Sequence, residues 1–129
     1  MKKLILILLS ALMLTGCTKT DDKINTYRQI GMDEALRMMA EESGYIILDV
    51  RRADEYSAGH IPGAINLPNE SITTSELPEL PDKNQLIMVY CRSGRRSKEA
   101  SEKLVKLGYT NVVEFGGIID WPGETVRGE

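Results

Sequence analysis

From residue 27 onward, short apolar runs alternate with stretches whose apolar residues recur at helical spacing. Met32, Ala35, Leu36 and Met39 stand at i, i+3, i+4 and i+7, which gives one apolar helical face. This stripe reads as ordinary core, and Gly44 is expected to end the helix. The run 45–48 is short, apolar and rich in strand formers, the pattern of a strand covered on both faces. Residues 86–90 repeat that pattern. Shorter strands are expected at 27–30, 64–67 and 111–115. Polar residues 52–58, closed by Gly59, predict one or two helical turns, and 72–84 with its two prolines predicts a loop. Residues 93–107 predict a helix with Ala100, Leu104 and Leu107 inward and Gly108 as its C-terminal cap. A short closing helix is expected at 117–121.

Strands alternating with helices predict an α/β fold: a central, mostly parallel, five-stranded sheet flanked by helices on both faces. In such folds sites form beyond the carboxyl ends of the strands. Cys91 immediately follows the predicted strand 86–90, where such a site belongs.

The first 25 residues follow a different pattern. Lys2 and Lys3 precede an almost unbroken apolar run from Leu4 to Leu14, followed by Thr15, Gly16 and Cys17. The run is too short to span a bilayer, which needs about 20 apolar residues. It has the layout of an export signal with small residues at its cleavage site. Leu14-Thr15-Gly16-Cys17 resembles the bacterial lipobox, which implies cleavage before Cys17 and lipid on its thiol. The expected organisation is a removed signal at 1–16, a lipidated Cys17 with a polar tether to residue 25, and a domain at 26–129. The tether residues 18–25 extend at most roughly 26–29 Å, so the domain is expected close to the exported face of a membrane, periplasmic or extracellular.

Charge narrows the partners. Without Lys2 and Lys3 the chain carries 14 basic and 19 acidic residues, near −5. That argues against a nucleic acid or other general polyanion and leaves room for a small anion at a local basic cluster. There are two cysteines; with lipid on Cys17, Cys91 has no disulfide partner in the chain.

The local basic cluster surrounds that second cysteine, as Cys91-Arg92-Ser93-Gly94-Arg95-Arg96-Ser97. A tight turn from a buried strand into a helix points successive N–H groups at one spot, and the helix N-terminus adds positive potential there. Three arginines at a helix start oppose the helix dipole, so a ligand explains them better than folding does. Every one of these features favours thiolate over thiol. Cys91 is the expected nucleophile, with Arg92, Ser93, Gly94, Arg95 and Arg96 as the expected binding loop. His60 is the only histidine, and a Cys–His hydrolase would need it beside Cys91.

Three motifs in order resemble rhodanese domains. Leu48-Asp49-Val50-Arg51, Asp54-Glu55-Tyr56 and Gly59-His60-Ile61-Pro62-Gly63-Ala64 are similar to the family's N-terminal signature. Cys91 to Ser97 is similar to its active-site loop, and Gly116-Gly117 with Trp121 to its closing motif. The resemblance implies a thiosulfate sulfurtransferase. In that reading a Cys91 persulfide passes sulfur from an anionic donor to cyanide or a thiol, without metal or organic cofactor. It gives Asp49, Arg51, Glu55 and His60 structural roles, with Arg51 paired to an acid such as Glu55. Two alternatives stand beside it. One is a sulfur-carrier or redox-sensing module that does not turn over thiosulfate. The other is a phosphatase or arsenate reductase, which the loop length opposes. Tyrosine phosphatases place arginine six residues after the cysteine, where this chain has Ser97, and phosphatases of rhodanese fold use a loop one residue longer.

Overall fold

A computed structural model describes residues 25–74 and 76–128. The expected signal, Cys17 and the tether up to residue 24 lie outside the described residues. Asn25 does not belong to a free tether. Its side-chain amide donates to the Tyr109 carbonyl at 2.9 Å, so the domain begins one residue earlier than its sequence suggests.

The elements are β1 (Arg28–Gln29), α1 (Met32–Glu41), β2 (Ile46–Asp49), α2 (Ala53–Ala58), β3 (Ile65–Asn66), β4 (Ile87–Cys91), α3 (Arg95–Lys106) and β5 (Val112–Gly117). Single turns of 3-10 helix occupy Asn69–Ser71 and Ile118–Asp120. The five strands form one sheet in the order β1-β5-β4-β2-β3, and every adjacent pair is parallel. The expected α/β sheet is the one observed.

Strand geometry explains the two cores. Side chains alternate between the faces of a sheet. Ile87, Val89 and Cys91 of β4 therefore join Leu48, Val50 and Val112 against Ala100 and Leu104 of α3. Met88 and Tyr90 turn the other way, with Ile47 and Phe115, against Ala35 of α1 and Tyr56 of α2. With β4 central and covered on both sides, all five of its residues are buried.

Most element boundaries shift by a residue or more from the sequence expectation, among them the following three. Helix α1 stops at Glu41, before Gly44, because Glu42 is already extended. Strand β4 runs one residue further than 86–90 implied and includes Cys91, paired with Gly117 of β5 across an irregularity in the ladder. Helix α3 starts at Arg95, not at 93. Gly94 precedes it with φ +126°, a left-handed backbone that glycine alone adopts readily.

Candidate active site

The turn from β4 into α3 is built around the Cys91 sulfur. The left-handed Gly94 bends the chain so that its own N–H reaches back to Cys91 Sγ at 3.0 Å. The Ser97 hydroxyl lies 3.5 Å from the same sulfur. Cys91 is only 1 % exposed and forms the floor of a cavity of about 410 Å³. The walls are Arg52, Glu70, Arg92, Ser93, Arg95 and Arg96.

The environment lowers the Cys91 thiol below its ordinary pKa. Burial by itself raises it; the Ser97 hydroxyl and the N–H groups of Ser97, Gly94 and Ser93 together outweigh that rise. More of the nucleophilic thiolate is therefore present at neutral pH than in a free cysteine.

Gly117 lets the loop lie where it does. A Cβ there would overlap the Arg92 carbonyl and the Ser93 Cα. The loop thus packs directly on the backbone of β5, and Ile119 N–H closes the contact on the Arg92 carbonyl at 3.3 Å.

The three loop arginines differ. Arg96 is tied down: its guanidinium donates to Glu55 at 2.7 and 3.2 Å. Glu55 also accepts the Arg52 N–H at 3.0 Å and so caps α2. Chiefly through the Arg96 hydrogen bonds, its carboxyl is held down to about 2. Arg95 makes a surface pair with Glu99 at 3.1 Å. Arg92 has no salt bridge among the described residues, which leaves its charge to the cavity.

The expected support residues gather next door, with one correction. Arg51 does not pair with Glu55. It makes a fork with Asp49, 2.7 to 3.1 Å, and donates to the Gly59 carbonyl at 2.7 Å. The reason is reach and burial: Asp49 is fully buried two residues away, while Glu55 is turned to Arg96. Tyr90 completes the fork, donating to Asp49 at 2.6 Å, and burial and Asp49 together raise its phenol far above the ordinary range. His60 is 4 % exposed, stacked on Tyr56 at 3.7 Å, with Nδ1 2.8 Å from the Tyr56 carbonyl. It is bound into the α2 corner of the fold.

Two site residues escaped the sequence reading. In the sequence Ser97 only closes the basic loop, and nothing there gives its hydroxyl a role. Glu114 lay inside a run read simply as strand, yet it is 2 % exposed and accepts the Ser97 hydroxyl at 2.5 Å. The signal was present: an acid between Val113 and Phe115, in a strand bounded by core, has to be turned inward or to a partner.

Comparisons with known proteins agree with this geometry. The family described as rhodanese-like domain matches residues 31–123. The thiosulfate sulfurtransferase PspE of Escherichia coli is 40% identical over 81 residues, 63% of this chain and 78% of its own. The thiosulfate sulfurtransferase GlpE of Pseudomonas entomophila is 34% identical over 110 residues, 81% and 97% respectively. A solved rhodanese from E. coli, with anions, superposes with TM-score 0.60 at 38% identity, covering 65% of this chain and 99% of that one. A prokaryotic membrane lipoprotein lipid attachment site matches residues 1–18, which contain Cys17. The matched span holds the sulfur-centred loop, the Asp49–Arg51 fork and the Gly117 contact together, and the chain belongs to the family of rhodanese-like domains.

Proposed function

We propose that the protein is a thiosulfate sulfurtransferase working through a persulfide on Cys91. The observation that carries this is the Cys91 sulfur, which accepts the Gly94 N–H at 3.0 Å at the floor of a cavity rimmed by arginines. The Cys91 thiolate attacks the outer sulfur of thiosulfate. The sulfur–sulfur bond of the donor breaks, and its electron pair leaves with sulfite. Cyanide or a thiolate then attacks the terminal sulfur of the Cys91 persulfide, and the Cys91 thiolate is regenerated. The cycle uses no metal and no organic cofactor.

The parts divide the work. The N–H groups of Ser93, Gly94 and Ser97 face the charge on sulfur and need no reorganisation as it moves. Arg92 and Arg95 draw the anionic donor into the cavity, and Arg96 holds the loop to α2 through Glu55. Sulfur needs a narrower cradle than a tetrahedral oxyanion does. The loop from Cys91 to Arg96 supplies one, which favours sulfane sulfur over phosphate.

The test is direct. The domain incubated with thiosulfate should release one sulfite and gain the mass of one sulfur on Cys91. Cys91→Ser should fold and lose turnover by at least about 10³-fold. Neither sulfite nor adduct in the wild type would sink the proposal.

We further propose that Cys17 carries lipid and fixes this chemistry at the exported face of a membrane. The lipid-attachment match over residues 1–18 supports it. In the native host the mature chain should begin at Cys17 with a lipid-sized mass added; an unprocessed N-terminus contradicts it.

A further inference from the structure

One wall of the sulfur cavity has the opposite sign to the rest. Glu70 lines it together with Arg52, Arg92, Arg95 and Arg96. Thiosulfate is a dianion, and a carboxylate beside its path repels it. Glu70 therefore works against the donor step. The acceptor step is the other half of the cycle, and there a carboxylate can help.

The fold fixes the position of this acid. Glu70 is the middle residue of the 3-10 turn Asn69–Ser71. Its neighbour Asn69 is 7 % exposed. The Asn69 N–H donates to the Val50 carbonyl at 2.9 Å, and its side-chain amide donates to Glu99 at 2.9 Å. The Lys103 ammonium donates to the Asn69 carbonyl and side-chain oxygen at 3.0 and 3.1 Å. The turn is thus pinned to the end of β2 and to α3, the helix that begins at the sulfur loop.

The Glu70 carboxylate is exposed and makes no hydrogen bond or salt bridge among the described residues. Arg52 is the cation best placed to claim it, and Arg52 is already taken. Its guanidinium forks onto Asp54, both contacts at 2.9 Å, and stands 3.8 Å from Glu55. The Glu70 charge reaches Arg52 more weakly than those two do. The cavity also has space to spare, at about 410 Å³. The five heavy atoms of thiosulfate, at about 30 Å³ each by the measure of liquid water, take about 150 Å³.

We propose that Glu70 is a specificity-determining residue for the sulfur acceptor, and that the preferred acceptor is a small thiol bearing a primary ammonium group. This rests on the reading of Cys91 as the sulfur carrier. The acceptor first gives its thiol proton to solvent. Its thiolate then attacks the outer sulfur of the Cys91 persulfide. A new sulfur–sulfur bond forms, the bond to Cys91 Sγ breaks, and its electron pair returns to Sγ. The acceptor leaves as a persulfide anion. Throughout, Glu70 accepts hydrogen bonds from the ammonium while the arginines face the thiolate. Donor and acceptor bind in turn, so one rim serves both: its cations take the first substrate and its acid takes the second.

The test compares acceptors of equal length in the purified protein, with thiosulfate saturating. Cysteamine carries an ammonium, 2-mercaptoethanol a hydroxyl, and thiocholine a quaternary nitrogen with the same charge as cysteamine and no N–H to donate. The wild type should prefer cysteamine to both in kcat/KM, each value corrected for its thiolate fraction. In Glu70→Gln the preference of cysteamine over 2-mercaptoethanol should fall about three- to fivefold, the scale of an exposed charged pair. The preference of thiocholine over 2-mercaptoethanol should fall less. The burst of sulfite from thiosulfate should become about two- to fivefold faster in the variant, because one screened repulsive charge is gone; the same burst shows that the variant is folded. No cysteamine preference in the wild type overturns the proposal. So does an equal fall for cysteamine and thiocholine, which would mean a general field and no ammonium site. A slower sulfite burst in Glu70→Gln also overturns it, by giving Glu70 to the donor. If the wild type releases no sulfite at all, it is the sulfurtransferase reading that fails; a normal burst without acceptor discrimination sinks only the role of Glu70.

Discussion

Two neighbouring strands of this sheet end in polar turns that lead into helices, and the two turns reach opposite outcomes. The turn after β2 is closed. Asp49 is fully buried, yet Arg51 and Tyr90 satisfy it, and Arg51 is itself satisfied by Gly59. The turn after β4 is open. Its Gly94 N–H points at the Cys91 sulfur, and Arg92 and Arg95 line a cavity rather than fill a fork. Both turns carry arginine; only one leaves it without a buried carboxylate. A charge that finds its partner within the fold adds rigidity, and one that does not is available to a substrate.

The sharpest break of this comparison is to open the closed turn. Asp49→Ala leaves the Arg51 guanidinium buried without its fork and should cost about 3–5 kcal/mol. Urea or thermal unfolding measures it, and protein that remains folded should still take sulfur from thiosulfate. Stability unchanged within error would mean that the fork is not what holds the turn.

The converse disturbs the open turn without touching its chemistry. Gly117→Ala forces the Arg92–Ser93 backbone away from β5. An overpacked contact of this kind costs about 1–3 kcal/mol. A nucleophile displaced by about an ångström loses on the order of 10²-fold in rate. Steady-state turnover with thiosulfate, set beside the unfolding midpoint, should show the rate falling more than stability.

The smallest effect concerns the link between the turns, Glu55 with Arg96. Glu55 has its folded pKa near 2, below the ordinary value of a glutamate. Its contribution is present above about pH 4.5 and is lost as pH falls through about 2. Glu55→Gln should therefore cost about 1 kcal/mol at neutral pH, as expected for a partly exposed pair. The gap to wild type should close between about pH 5 and about pH 2 in acid-unfolding curves. A gap constant across that range would assign the loss to packing, not charge.

Much of this contrast was legible from the chain. The apolar runs before Asp49 and Cys91 are continuous, so both strands could be placed at the buried centre of a parallel sheet. The cluster from Cys91 to Ser97 marked the open turn because its arginines oppose a helix dipole. The partners were less legible. Arg51 could have met Glu55 four residues on, and only the fold turns Glu55 toward Arg96 from a helix 41 residues away in sequence. Ser97 and Glu114 are separated by 17 residues and by a helix-to-strand connection, so nothing local announced their hydrogen bond.

By itself the sequence determined the parallel α/β sheet, the place of Cys91 at its carboxyl edge and the loop of glycine and arginines around it. These follow from periodicity and backbone conformation, which act over a few residues. The lipid-type cysteine at position 17 is likewise a local signal. Only the tertiary structure decided which acid meets which base, why Gly117 must lack a side chain, and that a buried glutamate stands behind Ser97 and the Cys91 sulfur. Those outcomes depend on the register of β4 against β5 and on the face that α3 covers. Register and packing bring together residues that no local pattern relates.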